Sequence, residues 1–244
     1  MSDHFTISRP RRTGIRPISL PSGDALCLHL APFVLAEFNH NWFDSYGIAC
    51  PDEIARSVLK RQAEFFHGRL AARIALHAIQ LPATDVPIGL AREPIWPIPL
   101  VGSISHVDGL AGAVVGERTR HLGLGVDLER TALGDTQSAL RQTAVSEDEL
   151  CCLQATTGTL SLDELVTLVF SAKESLYKAA YGVVGRFFGF EAAAVVAVDE
   201  VRGVITLEVI EYLHRAFEIG RRCEVAFARL DAETFVTAFE ASVR

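Results

Sequence analysis

The sequence predicts an α+β fold in which each half of the chain supplies a long helix and several strands. A helical pattern opens at Pro51-Asp52-Glu53 and a second at Ser161, one in each half. Short apolar runs of strand length, separated by turn residues, fill much of the remainder. The 244 residues, 49% hydrophobic, suffice for one large domain or for two modest lobes packed together.

Residues 1 to 24 mix Arg, Pro and Gly without periodicity, which predicts a mobile or loosely packed arm. Leu26-Cys27-Leu28-His29-Leu30 then reads as a strand. At Pro51-Asp52-Glu53 the missing proline N–H is harmless and the two acids suit the macrodipole, so a long helix starts there. It runs to about Gln80 and stops before Pro82. Its apolar set, including Ile54, Val58, Phe65, Leu70 and Ile74, is interleaved with Lys60, Arg61, Arg69 and Arg73. Arg69 and Arg73 are i,i+4 neighbours and point one way, toward solvent or toward an anion.

Pro82 to Pro99 is proline-rich, and Arg92-Glu93-Pro94-Ile95-Trp96-Pro97 must be extended or turning. Three apolar runs follow at 101–106, 110–115 and 121–129, broken at Asp108-Gly109 and Gly116-Glu117-Arg118, the pattern of a β-meander. Residues 131–144 are polar and read as irregular. Capping boxes at Ser146/Glu149 and Ser161/Glu164 start a short helix and a longer one, the latter passing through Lys178 to about Tyr181 with Leu165, Val169, Ala172 and Leu176 as its core stripe. After a glycine-rich aromatic loop from Gly182 to Gly189, strands are predicted near 190–198, 203–210, 222–229 and 234–241, with a helix near 211–219.

The net charge of −7 argues against a general nucleic-acid binder. No apolar run approaches the roughly 20 residues of a membrane-spanning helix, and Met1 to Arg12 has no apolar signal-peptide core. Cys27, Cys50, Cys151, Cys152 and Cys223 show neither C-x-x-C nor zinc-ligand spacing and are expected to be buried reduced thiols, which points to the cytoplasm.

Three signatures carry the chemistry: Ser103-Ile104-Ser105-His106, Gly125-Val126-Asp127-Leu128-Glu129, and Phe170 to Lys178. In an extended segment Asp127 and Glu129 project from one face while Val126 and Leu128 enter the core, and two parallel carboxylates repel unless a cation lies near. With no adjacent Cys or His, oxygen ligation favours Mg²⁺ or Mn²⁺ over zinc. On the helix after Ser161, Glu174 and Lys178 share a face, and Lys173 lies a quarter-turn away, in reach of a second phosphate. Ser105 and His106 close a strand just before a turn, where His106 fits a phosphate contact. No hydrolase triad order, Walker A loop or G-x-G-x-x-G fingerprint occurs. On the residues alone the reading is a Mg²⁺ site facing a phosphate-rich ligand held by side chains and metal, which narrows the mode of binding and not the ligand's name.

These motifs resemble the 4′-phosphopantetheinyl transferases, in particular their larger monomeric branch. Gly125 to Glu129 is similar to that family's G-[IV]-D-x-E, and Phe170 to Lys178 to its [FW]-x-x-K-E-[SA]-x-x-K. Gly102 to His106 resembles its serine-histidine strand. Glu93-Pro94-Ile95-Trp96-Pro97 and Arg61 to Phe66 with Gly68-Arg69 resemble the enterobactin-type subgroup; Ala91-Arg92 departs from it, Arg92 standing in for a basic residue expected at or near the first of these positions.

The resemblance spans roughly residues 55 to 190 and implies two similar α/β lobes, 1–118 and 119–244, with coenzyme A in the cleft between them. It implies transfer of the phosphopantetheine arm to a serine of an apo acyl or peptidyl carrier protein by a monomer, with a non-catalytic coenzyme A binding or regulatory module and a Mg²⁺-dependent pyrophosphate hydrolase as the alternatives. Mg²⁺ would be held by Asp127, Glu129 and Glu174, with Glu174 as candidate base and Lys178 stabilising the leaving bisphosphate. Lys173 and His106 would hold phosphates, Arg61, Arg69 and Arg92 the 3′-phosphate and adenine side, and Ser105 and Lys178 would also contact coenzyme A. An acidic carrier would land on Arg186-Phe187-Phe188 with Arg130 and Arg141.

Overall fold

The computed structural model describes residues 10–82 and 84–243. Among these, two antiparallel sheets pack edge to edge, each covered by a long helix. The first sheet runs in the order β1 (Gly14–Ser19), β2 (Ala25–Pro32), β4 (Leu110–Glu117), β3 (Leu100–Val107). The second runs β5 (His121–Arg130), β9 (Thr234–Ser242), β8 (Arg222–Arg229), β7 (Val204–Val209), β6 (Ala193–Asp199). The helices are α1 (Trp42–Tyr46), α2 (Asp52–Ala55), α3 (Leu59–Ala78), α4 (Gly134–Ala144), α5 (Glu147–Ala155) and α6 (Leu162–Val184).

The α+β expectation holds, with local corrections. Part of the expected arm is β1, paired with β2 from Gly14↔Leu30 to Ser19↔Ala25. As an edge strand it tolerates Pro17 and buries only Ile18, so no alternation is visible in its sequence. Residues 1–9 of that arm lie outside the described residues.

The single long helix is two helices. Ser57 Oγ donates to Ile54 O at 2.7 Å, and the Gln62 amide donates to Ala55 O and Ser57 O at 3.2 and 2.9 Å, satisfying carbonyls freed at the break. Residues 131–144, expected to be irregular, contain α4, whose polarity reflects a helix burying only Ala144. The helix expected near 211–219 is absent: Leu213 and Phe217, buried at a helix-like spacing, flank a tight turn closed by Phe217 N–H to His214 O at 2.7 Å.

Both capping boxes form as predicted, at Ser146/Glu149 and Ser161/Glu164. Of the cysteines only Cys223 is buried, its thiol pushed up to about 11 by burial; Cys27 and Cys151 are exposed, Cys27 because it alternates with inward Leu26 and Leu28. No helix among the described residues is long and apolar enough to cross a membrane.

The expected three-stranded meander stops at two. β3 and β4 form the hairpin, from Leu100↔Glu117 to Val107↔Leu110, but β5 pairs with β9 and opens the second sheet. β3 and β5 are thus the two facing edges, and serine hydroxyls join them. Ser103 Oγ accepts from Val126 N–H at 3.0 Å and Ser105 Oγ from Leu128 N–H at 3.1 Å, so edge donors of β5 that would otherwise be buried and unpaired are satisfied. Beside this seam, Leu28, Val101, Val114, Leu124, Val126, Leu128 and Val236 form an apolar cluster fed by both sheets. A second cluster lies under α3 and is rich in aromatics, and a third surrounds α6.

Candidate active site at the seam between the two sheets

Alternation along β5 decides what faces α6. Leu124, Val126 and Leu128 enter the seam cluster, so Gly123, Gly125, Asp127 and Glu129 take the other side. A Cβ at Gly123 would stand 1.9 Å from Ala179 O, and one at Gly125 would stand 1.8 Å from Ser175 O. The two glycines let helix backbone lie directly on strand backbone. That approach brings Ser171, Ser175 and Lys178, spaced i, i+4, i+7 on α6, onto β5 and β9.

Asp127 is the buried centre. Its Oδ1 lies 2.6 Å from Lys178 Nζ and accepts from Ser105 Oγ at 2.9 Å, while Oδ2 accepts from Ser171 Oγ at 2.8 Å. Lys178 also donates to Val126 O at 3.2 Å and Ser105 Oγ at 3.3 Å, so its ammonium sits across the seam. The Glu129 carboxyl is pushed up to about 8, by burial first and then by Asp127, with Lys178 opposing and Glu174 adding. Glu174 is raised by burial, against Lys178 and with Asp127. Burial and the neighbouring carboxylates thus favour the protonated forms of Glu129 and Glu174, with Lys178 opposing.

The donor set is oxygen only, which suits a hard divalent cation. The side chains are not gathered for one, however: no group of three His, Cys, Asp or Glu among the described residues is arranged to hold a metal ion, and Lys178 is the cation beside Asp127.

Across the seam, Arg61, Arg69, Arg92 and His106 line one cavity of about 200 Å³. Arg69 and Arg92 continue into an adjoining cavity of about 740 Å³ walled by Phe65, Val86 and Ile88. Arg61 Nη1 donates to His106 Nε2 at 3.1 Å. A guanidinium cannot accept, so His106 is the neutral tautomer with its proton on Nδ1. Its pKa is lowered to about 4 by burial, then by Arg61 and Lys178, against Asp127. Arg69 stacks over Phe65 at 4.6 Å, its buried Nε has no partner, and burial lowers its pKa to about 10.

Two expected coenzyme A contacts are corrected by the geometry. Lys173 is buried in an ion pair, its Nζ 2.7 Å from Glu149 Oε1 and 2.8 Å from Ala144 O, because a quarter-turn from Glu174 on α6 leads into the packing with α5 rather than into the cleft. Burial lowers its pKa, opposed by the bond to Glu149. Ser105 is buried in the seam, occupied by Asp127 and the Leu128 N–H. Arg73, read as pointing with Arg69, is bound to Tyr46 O, Gly47 O and Asp85. In the aromatic loop Phe187 is 76% exposed but Phe188, at 7%, packs into the α6 core. Arg186 pairs with Glu211 at 2.7 Å and Arg130 with Glu233 at 3.6 Å.

Sequence reading missed Glu64, Ser171, Ser175 and Thr237. Glu64 Oε2 lies 3.9 Å from both Arg61 Nη1 and His106 Nδ1; its i,i+3 spacing from Arg61 was the available signal. Thr237 stands out only as a hydroxyl in the apolar run Phe235-Val236-Thr237-Ala238-Phe239.

Comparison with known proteins places the motifs in context. Residues 51–116 match the family model described as the 4′-phosphopantetheinyl transferase N-terminal domain. Residues 123–227 match that of the 4′-phosphopantetheinyl transferase superfamily. Over 171 residues the chain is 34% identical to 4′-phosphopantetheinyl transferase Svp of Streptomyces mobaraensis, covering 68% of each protein. It is 36% identical to 4′-phosphopantetheinyl transferase Npt of Nocardia iowensis over 57% of this chain and 61% of the relative. It is 37% identical to enterobactin synthase component D of Salmonella typhi over 62% of this chain and 61% of the relative. The matches to the last two thus span about three fifths of the relatives' length.

Proposed function

Because the chain belongs to the 4′-phosphopantetheinyl transferase superfamily, we propose that it moves the 4′-phosphopantetheine arm of coenzyme A onto a serine of an apo carrier protein. The observation that carries this reading is the meeting of Asp127, Glu129, Glu174 and Lys178 at a seam whose other wall is the Arg61, Arg69, Arg92 and His106 cavity. One side offers acidic and proton-accepting groups; the other offers cations for an anionic nucleotide. The two lobes of this reading are 1–118 and 119–244, and coenzyme A lies across the boundary between them.

In the reaction, the serine oxygen bonds to the β-phosphorus of the pyrophosphate, and the bond from that phosphorus to the bridging oxygen breaks. Adenosine 3′,5′-bisphosphate leaves with that oxygen. Glu174, its basicity raised by burial, accepts the serine proton. Lys178, at the seam, faces charge building on the leaving group, and Arg61, Arg69 and Arg92 hold the 3′-phosphate and adenine end. Neutral His106, which takes a hydrogen bond from Arg61, has its Nδ1 proton to donate and orients rather than titrates near neutral pH.

The oxygen-only donor set suits Mg²⁺, or Mn²⁺ in its place, which Asp127, Glu129 and Glu174 would hold. Bound there, the ion would neutralise pyrophosphate charge during transfer. Exposed Phe187, beside Arg186, is the landing site for an acidic carrier. The enzyme acts as a cytoplasmic monomer in this reading.

The test is incubation of apo carriers from fatty-acid, polyketide and peptide synthesis with coenzyme A and Mg²⁺, followed by intact-mass measurement. The expected product is a carrier heavier by one phosphopantetheine, with loading abolished in Asp127→Ala and Glu174→Ala. Unchanged carrier mass across the panel, or loading that survives both substitutions, overturns the proposal. Free phosphopantetheine released without any carrier would mark a hydrolase instead.

A further inference from the structure

Behind Asp127 lies a line of buried hydroxyls that the proposed reaction does not use. Ser171, Ser175 and Thr237 are each 0% exposed. Ser171 Oγ is 2.8 Å from Asp127 Oδ2 and 2.9 Å from Thr237 Oγ1, and Thr237 Oγ1 is 2.7 Å from Ser175 Oγ. The line runs from α6 to β9, back to α6, and ends on one oxygen of the carboxylate. Apolar side chains of similar size would fill this space without any need for partners. Three hydroxyls persist there only because each is bonded.

Proton counting gives the line a direction. Each hydroxyl has one proton. Asp127 as a carboxylate only accepts, so Ser171 spends its proton on Oδ2, and its lone pairs accept from Thr237. Ser175 can in turn donate to Thr237 Oγ1. Local acceptors are also present, Ser171 O at 2.9 Å from Thr237 Oγ1 and Thr237 O at 3.1 Å from Ser175 Oγ, so the set stays satisfied whichever way Thr237 and Ser175 turn. Bonds aligned this way polarise one another toward the anion.

The Oδ1 side of Asp127 is engaged by Lys178 and Ser105. The hydroxyl line is therefore what fixes the plane of the carboxylate from the Oδ2 side.

We propose that Ser171 and Thr237, backed by Ser175, are positioning residues that set the orientation of Asp127 and, through it, the affinity of the site for Mg²⁺. This rests on the functional reading above. Groups bonded behind a metal-binding carboxylate commonly govern affinity by about 10–100-fold.

The experiment compares wild type, Ser171→Ala, Thr237→Val and Thr237→Ser. The half-saturating Mg²⁺ concentration is read in two ways, from the Mg²⁺-dependent rise in melting temperature without coenzyme A and from carrier loading at saturating coenzyme A. Ser171→Ala and near-isosteric Thr237→Val are expected to raise it about 10-fold or more. Thr237→Ser, which keeps the hydroxyl, should restore it to within about twofold of wild type, and the KM for coenzyme A should change little in any of them. If Ser171→Ala does not fold, Thr237→Val, one bond further from the carboxylate, carries the comparison. A lower melting temperature with an unshifted half-saturating Mg²⁺ concentration makes the line merely structural and overturns the proposal while leaving the transferase reading intact. A wild-type protein indifferent to Mg²⁺ in both readouts overturns the Mg²⁺ site itself, and the proposal with it.

Discussion

Adding one methyl group to β5, as Gly125→Ala, loads the contact on which the site is built. The new Cβ would fall 1.8 Å from Ser175 O and 2.8 Å from Ser175 C, against about 3.4 Å for ordinary contact. The obstacle is helix backbone, which no rotamer change can clear, so α6 must retreat by roughly 1.6 Å, the difference between those two distances. Overpacking of this kind costs about 3 kcal/mol, the upper part of the usual range. For a chain of this length that lowers the melting temperature by roughly 6–12 °C.

The same retreat carries Glu174 and Lys178 with Ser175, and a displacement of about 1 Å at a reacting group can cost about 100-fold in rate. Thermal melts and carrier-loading rates measure both effects. Gly182→Ala is the matched control, because a Cβ there meets nothing within 4 Å on the exposed side of the same helix; it should be neutral or stabilising by up to about 1 kcal/mol. A Gly125→Ala protein that melts and loads like wild type would refute the claim that backbone contact positions the site.

Two further substitutions probe the charges. Lys173→Met strands the buried Glu149 carboxylate and should cost about 3–5 kcal/mol in urea melts, while Lys173→Met combined with Glu149→Gln should cost less than the sum of the single changes. A change confined to the KM for coenzyme A, with stability intact, would restore a phosphate-binding role for Lys173. Glu129, raised to about 8 in the folded chain, contributes stability that is fully present below its ordinary unfolded value and is lost as pH rises through about 8. Without divalent cations, Glu129→Gln should therefore melt above wild type at about pH 9, and the gap should shrink toward about pH 5. An equal gap at both pH values would show that the carboxylate is not strained by its neighbours.

Much of this molecule is local in origin and therefore visible in the residue order. The boxes at Ser146/Glu149 and Ser161/Glu164 satisfy helix-end donors within four residues, so they are legible from spacing. The alternation of Gly125, Asp127 and Glu129 against Val126 and Leu128 is likewise a property of one strand. β1 and α4 escaped notice because each buries almost nothing, which removes the hydrophobic period that would reveal it. The 211–219 segment misled for the opposite reason, since Leu213 and Phe217 are buried at a helical spacing without a helix between them.

What the sequence by itself determined is the set of acidic, basic and hydroxyl groups and the elements that carry them, because helix and strand periodicity depend on neighbours in the chain. The tertiary structure alone decided which groups meet. β5 leaves β4 to pair with β9, Ser103 and Ser105 close the seam, Lys178 reaches Asp127, and Lys173 turns to Glu149 instead of the cleft. Those choices rest on contacts between residues far apart in sequence. They are settled by burial and hydrogen-bond satisfaction across two sheets, which no local pattern records.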